Sequence, residues 1–253
     1  GNKKATRDVR DIFDSKKIFD FPKPVGFLKK AISIGANDDS IIMDFFSGSA
    51  TIAQAIMQLN AEDGGGRKFV IIQLPEIPDE KSEAYKAGYK NICEIGKERI
   101  RRVGVKIKEE AGFVSSKLDV GFRVLKCDSS NMKDVYYNPA EYEPSLFTRL
   151  EDNIKEDRTP EDLLFQVMLD LGVLLSSKIE ETTIAGKKVF NVEDNYLIAC
   201  FDEDITDDVI TEIAKQKPYY FVLRDSSMAN DSVATNIEQI FAAYSPDTVR
   251  KVL

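Results

Sequence analysis

The stretch IIMDFFSGSATIAQAI, residues 41–56, decides what kind of fold this chain adopts. An apolar run ends at Asp44, passes through a Phe-Ser-Gly-Ser turn, and resumes with Ile52, Ala55, Ile56 and Leu59 at helical spacing. A short apolar run bounded by polar residues predicts a strand buried on both faces, and the spacing after the turn predicts a helix. A parallel strand feeding a helix through small residues sets backbone N–H groups and a positive helix end at the carboxyl edge of a sheet, where ligands of open α/β sheets bind. The turn lacks both GxGxxG and GxxxxGK[ST], which argues against a phosphate cradle. A nucleoside cradle and an ordinary strand-to-helix joint both remain compatible with it.

The flanking sequence extends the pattern. PKPVGFLKKAISIG, residues 22–35, has proline at its entrance and glycine at its exit, as a helix does. The glycine-rich EDGGGRK leads into FVIIQLP, a second strand expected to be buried, and residues 81–103 are expected to be helical with an interruption near Gly88. Alternation of helix and strand predicts a parallel sheet in a three-layer α/β domain. From about residue 120 the pattern restarts. FRVLKCD, NYLIACFD and YYFVLRD read as strands, and 159–179, 207–216 and 231–244 as helices, the first with Thr159 as N-cap and Pro160 at N1. The expected division is 1–116 and 117–253.

Composition narrows the chemistry. With 253 residues and no histidine, Ser-His and Cys-His pairs and His-ligated metals are excluded. Cys93, Cys127 and Cys200 are far apart and lack CxxC spacing, so they read as small buried hydrophobes rather than disulfide or zinc partners. No metal site is expected: FDEDITDD, 201–208, lacks EF-hand spacing and reads as a strand end before a helix N-terminus. Residues 1–116 carry 20 Lys and Arg against 17 Asp and Glu, and residues 117–253 carry 15 against 26. The second half would therefore repel a DNA phosphate track. The basic run KERIRR, 97–102, is expected to be a solvated helix face, and Tyr219, Tyr220 and Phe221 to be core and sheet surface. No apolar run approaches the roughly 20 residues of a spanning helix, and no secretory pattern opens the chain. The expectation is a soluble, cytoplasmic protein without membrane contact. The chain begins on Gly rather than Met and enters a charged helical segment directly, which reads as a piece of a longer protein.

DFFSGSAT, 44–51, closely resembles the FxGxG-type first motif of S-adenosylmethionine-dependent DNA amino-methyltransferases in the form DFFAGSGT, with Ser47 and Ala50 as departures. FDFPKPVGFLKKAI, 19–32, resembles the Lys-Pro motif that precedes FxGxG in the permuted group. QLNAEDGGGRKFVIIQLPE, 58–76, is similar to the modification subunit of type III restriction-modification systems. Residues 122–142 and 152–173 resemble its C-terminal region, so the resemblance covers nearly the whole chain. It implies a partial, permuted Rossmann-like methyltransferase sheet followed by a second α/β unit. It implies S-adenosylmethionine as cofactor, bordered by Asp44, Phe45, Ser47, Gly48 and Ser49, with Thr51 accessory and Lys23 and Pro24 over the methionine end. Gln73 stands where an acidic residue usually grips the ribose, with Glu76 three residues on. Partners implied are DNA, the restriction subunit, and a second copy in a homodimer of the full-length protein. Adenine N6 transfer needs a DPPY-type motif, and none occurs here; YNPAEY, 137–142, lies on the wrong side of the first motif. No catalytic residue is expected, and the chain alone is expected to be inactive. Two other classes stay open: a non-catalytic module whose acidic half docks the restriction subunit, and a nicotinamide-dependent oxidoreductase, which the missing GxGxxG disfavours.

Overall fold

The computed structural model describes residues 2–112, 116, 118–133 and 153–253. It divides into two compact units, Gly1–Leu125 and Lys126–Leu253.

In the first unit, α1 (Asn2–Ile12) and α2 (Val25–Gly35) precede β1 (Ile41–Asp44), α3 (Thr51–Asp63) and β2 (Lys68–Ile71), followed by the single turn α4 (Glu83–Lys86) and the long α5 (Ile92–Ala111). β1 and β2 are parallel, with Ile41 opposite Lys68 and Asp44 opposite Ile71, so α3 is the crossover. α3 is buried almost all round. Ala55, Ile56 and Leu59 meet Val25 and Ile32 of α2, while Ala53 and Met57 meet Ile100, Val103 and Ile107 of α5. The inward residues Ile42, Phe69 and Ile71 join these clusters. The opposite face is open among the described residues: Ile41, Met43, Val70 and Ile72 are exposed. Burial on both faces, expected from the apolar runs, is thus met on one face only, and the helices here make two layers rather than three.

FRVLKCD, expected to be a strand, joins no ladder. Leu118, Val120 and Phe122 instead pack beside α5, and the Arg101 guanidinium lies 5.6 Å from the Phe122 ring centre, so side-chain packing holds this extended stretch. Residues 117–125 accordingly sit with the first unit.

The second unit is a five-stranded mixed sheet in the order β3 (Ile179–Ile184), β4 (Lys187–Val192), β5 (Leu197–Cys200), β6 (Tyr220–Leu223), β7 (Val249–Val252). β3, β4 and β5 are antiparallel neighbours, and β5, β6 and β7 are parallel, joined through α7 (Asp207–Lys215) and α8 (Asp231–Tyr244). Ile198, Cys200, Phe221 and Leu223 face α7 and α8; Leu197, Ala199 and Val222 face α6 (Pro160–Asp170). α6 ends sooner than its apolar pattern suggests. Gly172 turns left-handed at φ 69°, and the Val173 N–H donates to the Met168 carbonyl (2.7 Å), closing a Schellman-type cap. The β3–β4 hairpin turns on Ala185 and Gly186, both at positive φ, as a two-residue type I′ turn demands. Of the three cysteines Cys200 is buried, and burial pushes its thiol up to about 11. Cys127 is exposed and Cys93 half-buried, contrary to the expectation for all three.

At the start of α6 the Asp162 amide donates to the Thr159 hydroxyl oxygen (3.3 Å), and the Thr159 amide returns a bond to the Asp162 carboxylate (2.8 Å). The Thr159 amide first, and second the Thr159 hydroxyl, which donates to the same carboxylate oxygen (2.8 Å), hold the Asp162 carboxyl below its usual range. Thr159→Ala should cost about 1 kcal/mol of unfolding free energy. For Asp162 the depressed acid contributes stability above the ordinary carboxylate range and loses it as pH falls through the lowered value. In urea titrations the gap between the unsubstituted chain and Asp162→Asn should therefore be open at pH 7 and close on strong acidification.

Candidate cofactor site at the first strand-to-helix turn

The turn after β1 is a sequence of local constraints. The Asp44 carboxylate accepts the Phe46 N–H (3.1 Å), the Asx-turn geometry that short acidic side chains favour. The Ser47 N–H donates to the Ile72 carbonyl (3.2 Å), and the Ala50 N–H to the Ser47 carbonyl (2.8 Å). Gly48 and Ala50 are both left-handed, at φ 53° and 58°. Ala50 is the N-cap of α3, and no side chain caps that helix. Phe45 and Phe46 project outward, 60% and 80% exposed.

Three other segments meet the turn. From the N-terminal side, the Phe19 ring lies against Gly48, so closely that a Cβ there would stand 3.0 Å from Cζ. Pro24, five residues on, is the N-cap of α2, and Lys23 is exposed. From β2, Gln73 turns its Oε1 onto the Gly48 N–H (2.7 Å), while its Nε2 donates to the Leu74 carbonyl (3.2 Å). Gln73, expected at the ribose, thus reaches the turn backbone, and the exposed Glu76 lies beyond it. From behind, α5 contributes Cys93, whose thiol donates to the Gln73 carbonyl (3.3 Å); Gly96, whose missing side chain admits Ala50 and the Gly48 carbonyl; and Arg99.

Arg99 was not singled out from sequence, where it sits inside KERIRR. It is 0% exposed. Nε donates to Gln54 Oε1 (2.9 Å); Nη1 donates to the Ser49 carbonyl (3.2 Å), Ser49 Oγ (2.7 Å) and Thr51 Oγ1 (2.7 Å). Burial pulls its guanidinium down to about 10, still protonated at neutral pH. The Ser49 and Thr51 hydroxyls therefore face inward, and both residues are buried. The rest of the run is also engaged. Arg102 donates to the Ile12 carbonyl (3.0 Å), Asp14 (2.9 Å) and Glu98 (2.7 Å), tying α5 to the end of α1. A wholly solvated face is thus not what these residues form. Sequence gave one usable signal: the first arginine lies three residues after Gly96 and one before the buried Ile100, on the inward side of the helix.

The structure brings Asp44, Phe45, Ser47, Gly48, Ser49, Thr51 and Gln73 together, and Phe19, from the stretch that leads to Lys23 and Pro24, packs on Gly48. YNPAEY lies outside the described residues. Among the described residues no group of acidic or cysteine side chains is arranged to hold a metal.

Residues 1–111 match the family model described as DNA methylase. Over these residues the chain is similar to that family. The mixed α/β architecture is a methyltransferase fold. The chain is 41% identical over 122 residues to the type III restriction-modification enzyme StyLTI Mod subunit of Salmonella typhimurium, covering 48% of this chain and 18% of that protein. It is 32% identical over 184 residues to the EcoPI Mod subunit of Escherichia phage P1, covering 72% and 27%. The type II methyltransferase M.KpnI of Klebsiella pneumoniae is 37% identical over 100 residues, 40% and 24% of the two chains. The chain thus spans less than a third of the length of these curated relatives.

Two glycines at this methylase turn should respond oppositely to alanine. Gly48→Ala forces a left-handed alanine into the Phe19 ring and should cost at least about 1–2 kcal/mol in chemical denaturation. Gly96→Ala places its Cβ at 3.4 Å from the Ala50 Cβ, an ordinary contact. It gains up to about 1 kcal/mol of helix propensity and should be neutral or stabilising in the same titration.

Proposed function

We propose that residues 1–125 form the cofactor-binding part of a DNA adenine N6-methyltransferase of the type III modification-subunit kind, and that the cofactor is S-adenosylmethionine. The observation that carries this reading is the turn at 44–51. It joins a parallel strand to a helix N-terminus, is held in two left-handed residues, and lies in a stretch matching the DNA methylase model.

The residues present fit the group. Asp44, half-buried at the strand end, uses one carboxylate oxygen on the Phe46 N–H and offers the other to an ammonium. The α3 N-terminus favours a carboxylate, and exposed Phe45 and Phe46 supply apolar surface for a nucleoside. When bound, S-adenosylmethionine supplies a methyl group made electrophilic by its sulfonium. The protein's part is proximity and orientation: Asp44 fixes the amino-acid end, Gln73 and Phe19 hold Gly48, and the Lys23-Pro24 segment borders the site. No DPPY-type motif occurs in the sequence, so the residues here bind the cofactor without contacting the target amine, and the chain alone is inactive in this reading. DNA, a restriction subunit and a second copy of the full-length protein are the partners proposed with it, in the cytoplasm.

A second role is proposed for the C-terminal unit on the strength of its charge, with 25 acidic against 13 basic residues over 126–253. That unit docks the restriction subunit. Retention of a restriction subunit in a pull-down after deletion of 126–253 would count against this role.

Isothermal titration with S-adenosylmethionine tests the main reading. Saturable binding is expected, weakened at least about 10-fold by Asp44→Ala, the loss of one charge-assisted bond. Binding that survives the substitution unchanged removes Asp44 from the site, and absence of binding by either form sinks the cofactor reading for this chain.

A further inference from the structure

Arg99 is a positive charge shut away from solvent, with no carboxylate in contact among the described residues. Its side chain is 0% exposed, and the one carboxylate whose charge acts on it is the half-buried Asp8 of α1, which favours the protonated form from beyond ion-pair distance. Every hydrogen-bond partner it has is neutral: Gln54 Oε1, the Ser49 carbonyl, Ser49 Oγ and Thr51 Oγ1. Among the described residues its Nη2 has no hydrogen-bond partner. Three of the four bonds go to residues of the turn or the first residue of α3. The charge therefore stands directly behind that turn, at the positive end of the helix.

Such an arrangement is costly. Desolvating an ion costs several kcal/mol after relaxation, and an apolar side chain of similar volume would brace the turn without that penalty. A neutral donor could also bond Ser49 and Thr51. What only the cation supplies is a field in a region of low dielectric, offset in part by Asp8 on α1, that acts through the turn on the surface at its other side.

We propose that Arg99 is a positioning residue whose buried charge, which no carboxylate contacts, adds to the α3 dipole and makes this site select a ligand bearing a carboxylate. It does so from behind the turn, without touching the ligand. The proposal rests on the cofactor reading above and deepens it. The amino-acid end of the cofactor is held by two opposite fields, Asp44 toward the ammonium and Arg99 with the helix end toward the carboxylate.

The test compares two ligands that differ only in that carboxylate, S-adenosylmethionine and its decarboxylated form, in isothermal titrations of the unsubstituted chain, Arg99→Met and Arg99→Lys. Circular dichroism checks each fold. The unsubstituted chain should prefer the carboxylate-bearing ligand by 10-fold or more. Arg99→Met should bring that ratio toward one, and Arg99→Lys, which keeps the charge and loses the planar fork, should keep most of it.

An Arg99→Met that weakens both ligands equally overturns the proposal, because a merely structural brace predicts that result. So does a ratio lost as fully in Arg99→Lys as in Arg99→Met, since hydrogen-bond geometry rather than charge would then be responsible. Should Arg99→Met not fold, the ratio in the unsubstituted chain still decides: no preference refutes the charge effect. If the unsubstituted chain binds neither ligand, the cofactor reading itself has failed and this proposal falls with it. Binding of both without preference leaves the cofactor reading standing and removes only Arg99's role.

Discussion

The turn at the centre of the first unit has a weak frame of its own, and its rigidity comes from the guanidinium behind it. α3 begins at an alanine in a left-handed conformation with no side-chain cap. The usual means of satisfying the first helical amides is absent, and a left-handed alanine is worse than a glycine by roughly 1–2 kcal/mol. Arg99 binds the residues on both sides of that alanine, Ser49 and Thr51, through one nitrogen. Charge-assisted bonds are about twice as strong as neutral ones, and their number here offsets part of the desolvation cost of burying the ion. Gln73 and Phe19 then fix Gly48 from two further directions. A loop held at that many points keeps its shape before any ligand arrives, and this is what makes a small-residue turn usable as a binding surface.

The same braces explain the geometry of α5. A helix normally approaches its neighbour at 8–10 Å, limited by side chains. Gly96 removes that limit opposite Ala50, and Gly104 does the same opposite Met57 and Val120. Between these two close contacts Arg99, Ile100 and Val103 are all buried. The helix is thereby drawn onto α3 along the length that supports the turn. The sheet is less complete. Parallel strands are ordinarily covered on both faces, and β1 and β2 carry apolar residues for both. Only the face toward α3 and α5 is used by the described residues, so Met43 is 52% exposed with Ile41, Val70 and Ile72 around it.

Much of this was legible. The strand-turn-helix at 41–63, the glycine-marked break at Gly88, the entry of α2 at Pro24 and the capped start of α6 all follow from local chemistry that the sequence displays directly: periodicity, proline and glycine punctuation, and a Thr-Pro-Glu-Asp cap. What failed has two physical causes: a local signal that is weak, or a deciding contact that is distant in sequence. The β3–β4 hairpin carries Glu, Thr and Lys on exposed positions, so it shows little alternation, and its Ala-Gly turn is a weak signal beside Asn-Gly. Residues 122–128 have strand composition, but Phe122 packs beside Arg101 instead of entering a ladder. Arg99 is the strongest case. A run of Lys, Glu and Arg reads as solvated, and only its acceptors 45 to 50 residues earlier show that one of its members is core.

Ala50 illustrates how a departure from the expected motif can be accommodated. The resemblance places glycine there, and the left-handed φ of 58° gives the physical reason for that preference. The alanine methyl is fully buried, and a Cβ built on Gly96 would stand 3.4 Å from it. Burying one methyl contributes on the order of 0.8 kcal/mol, close to the low end of the strain it introduces. Gly96 on α5 thus leaves the methyl uncrowded, and an alanine there would only just touch it. The two positions face each other across α5 and the turn. A residue larger than alanine at either would push the helix from the turn and lengthen the Arg99 bonds on which the site depends.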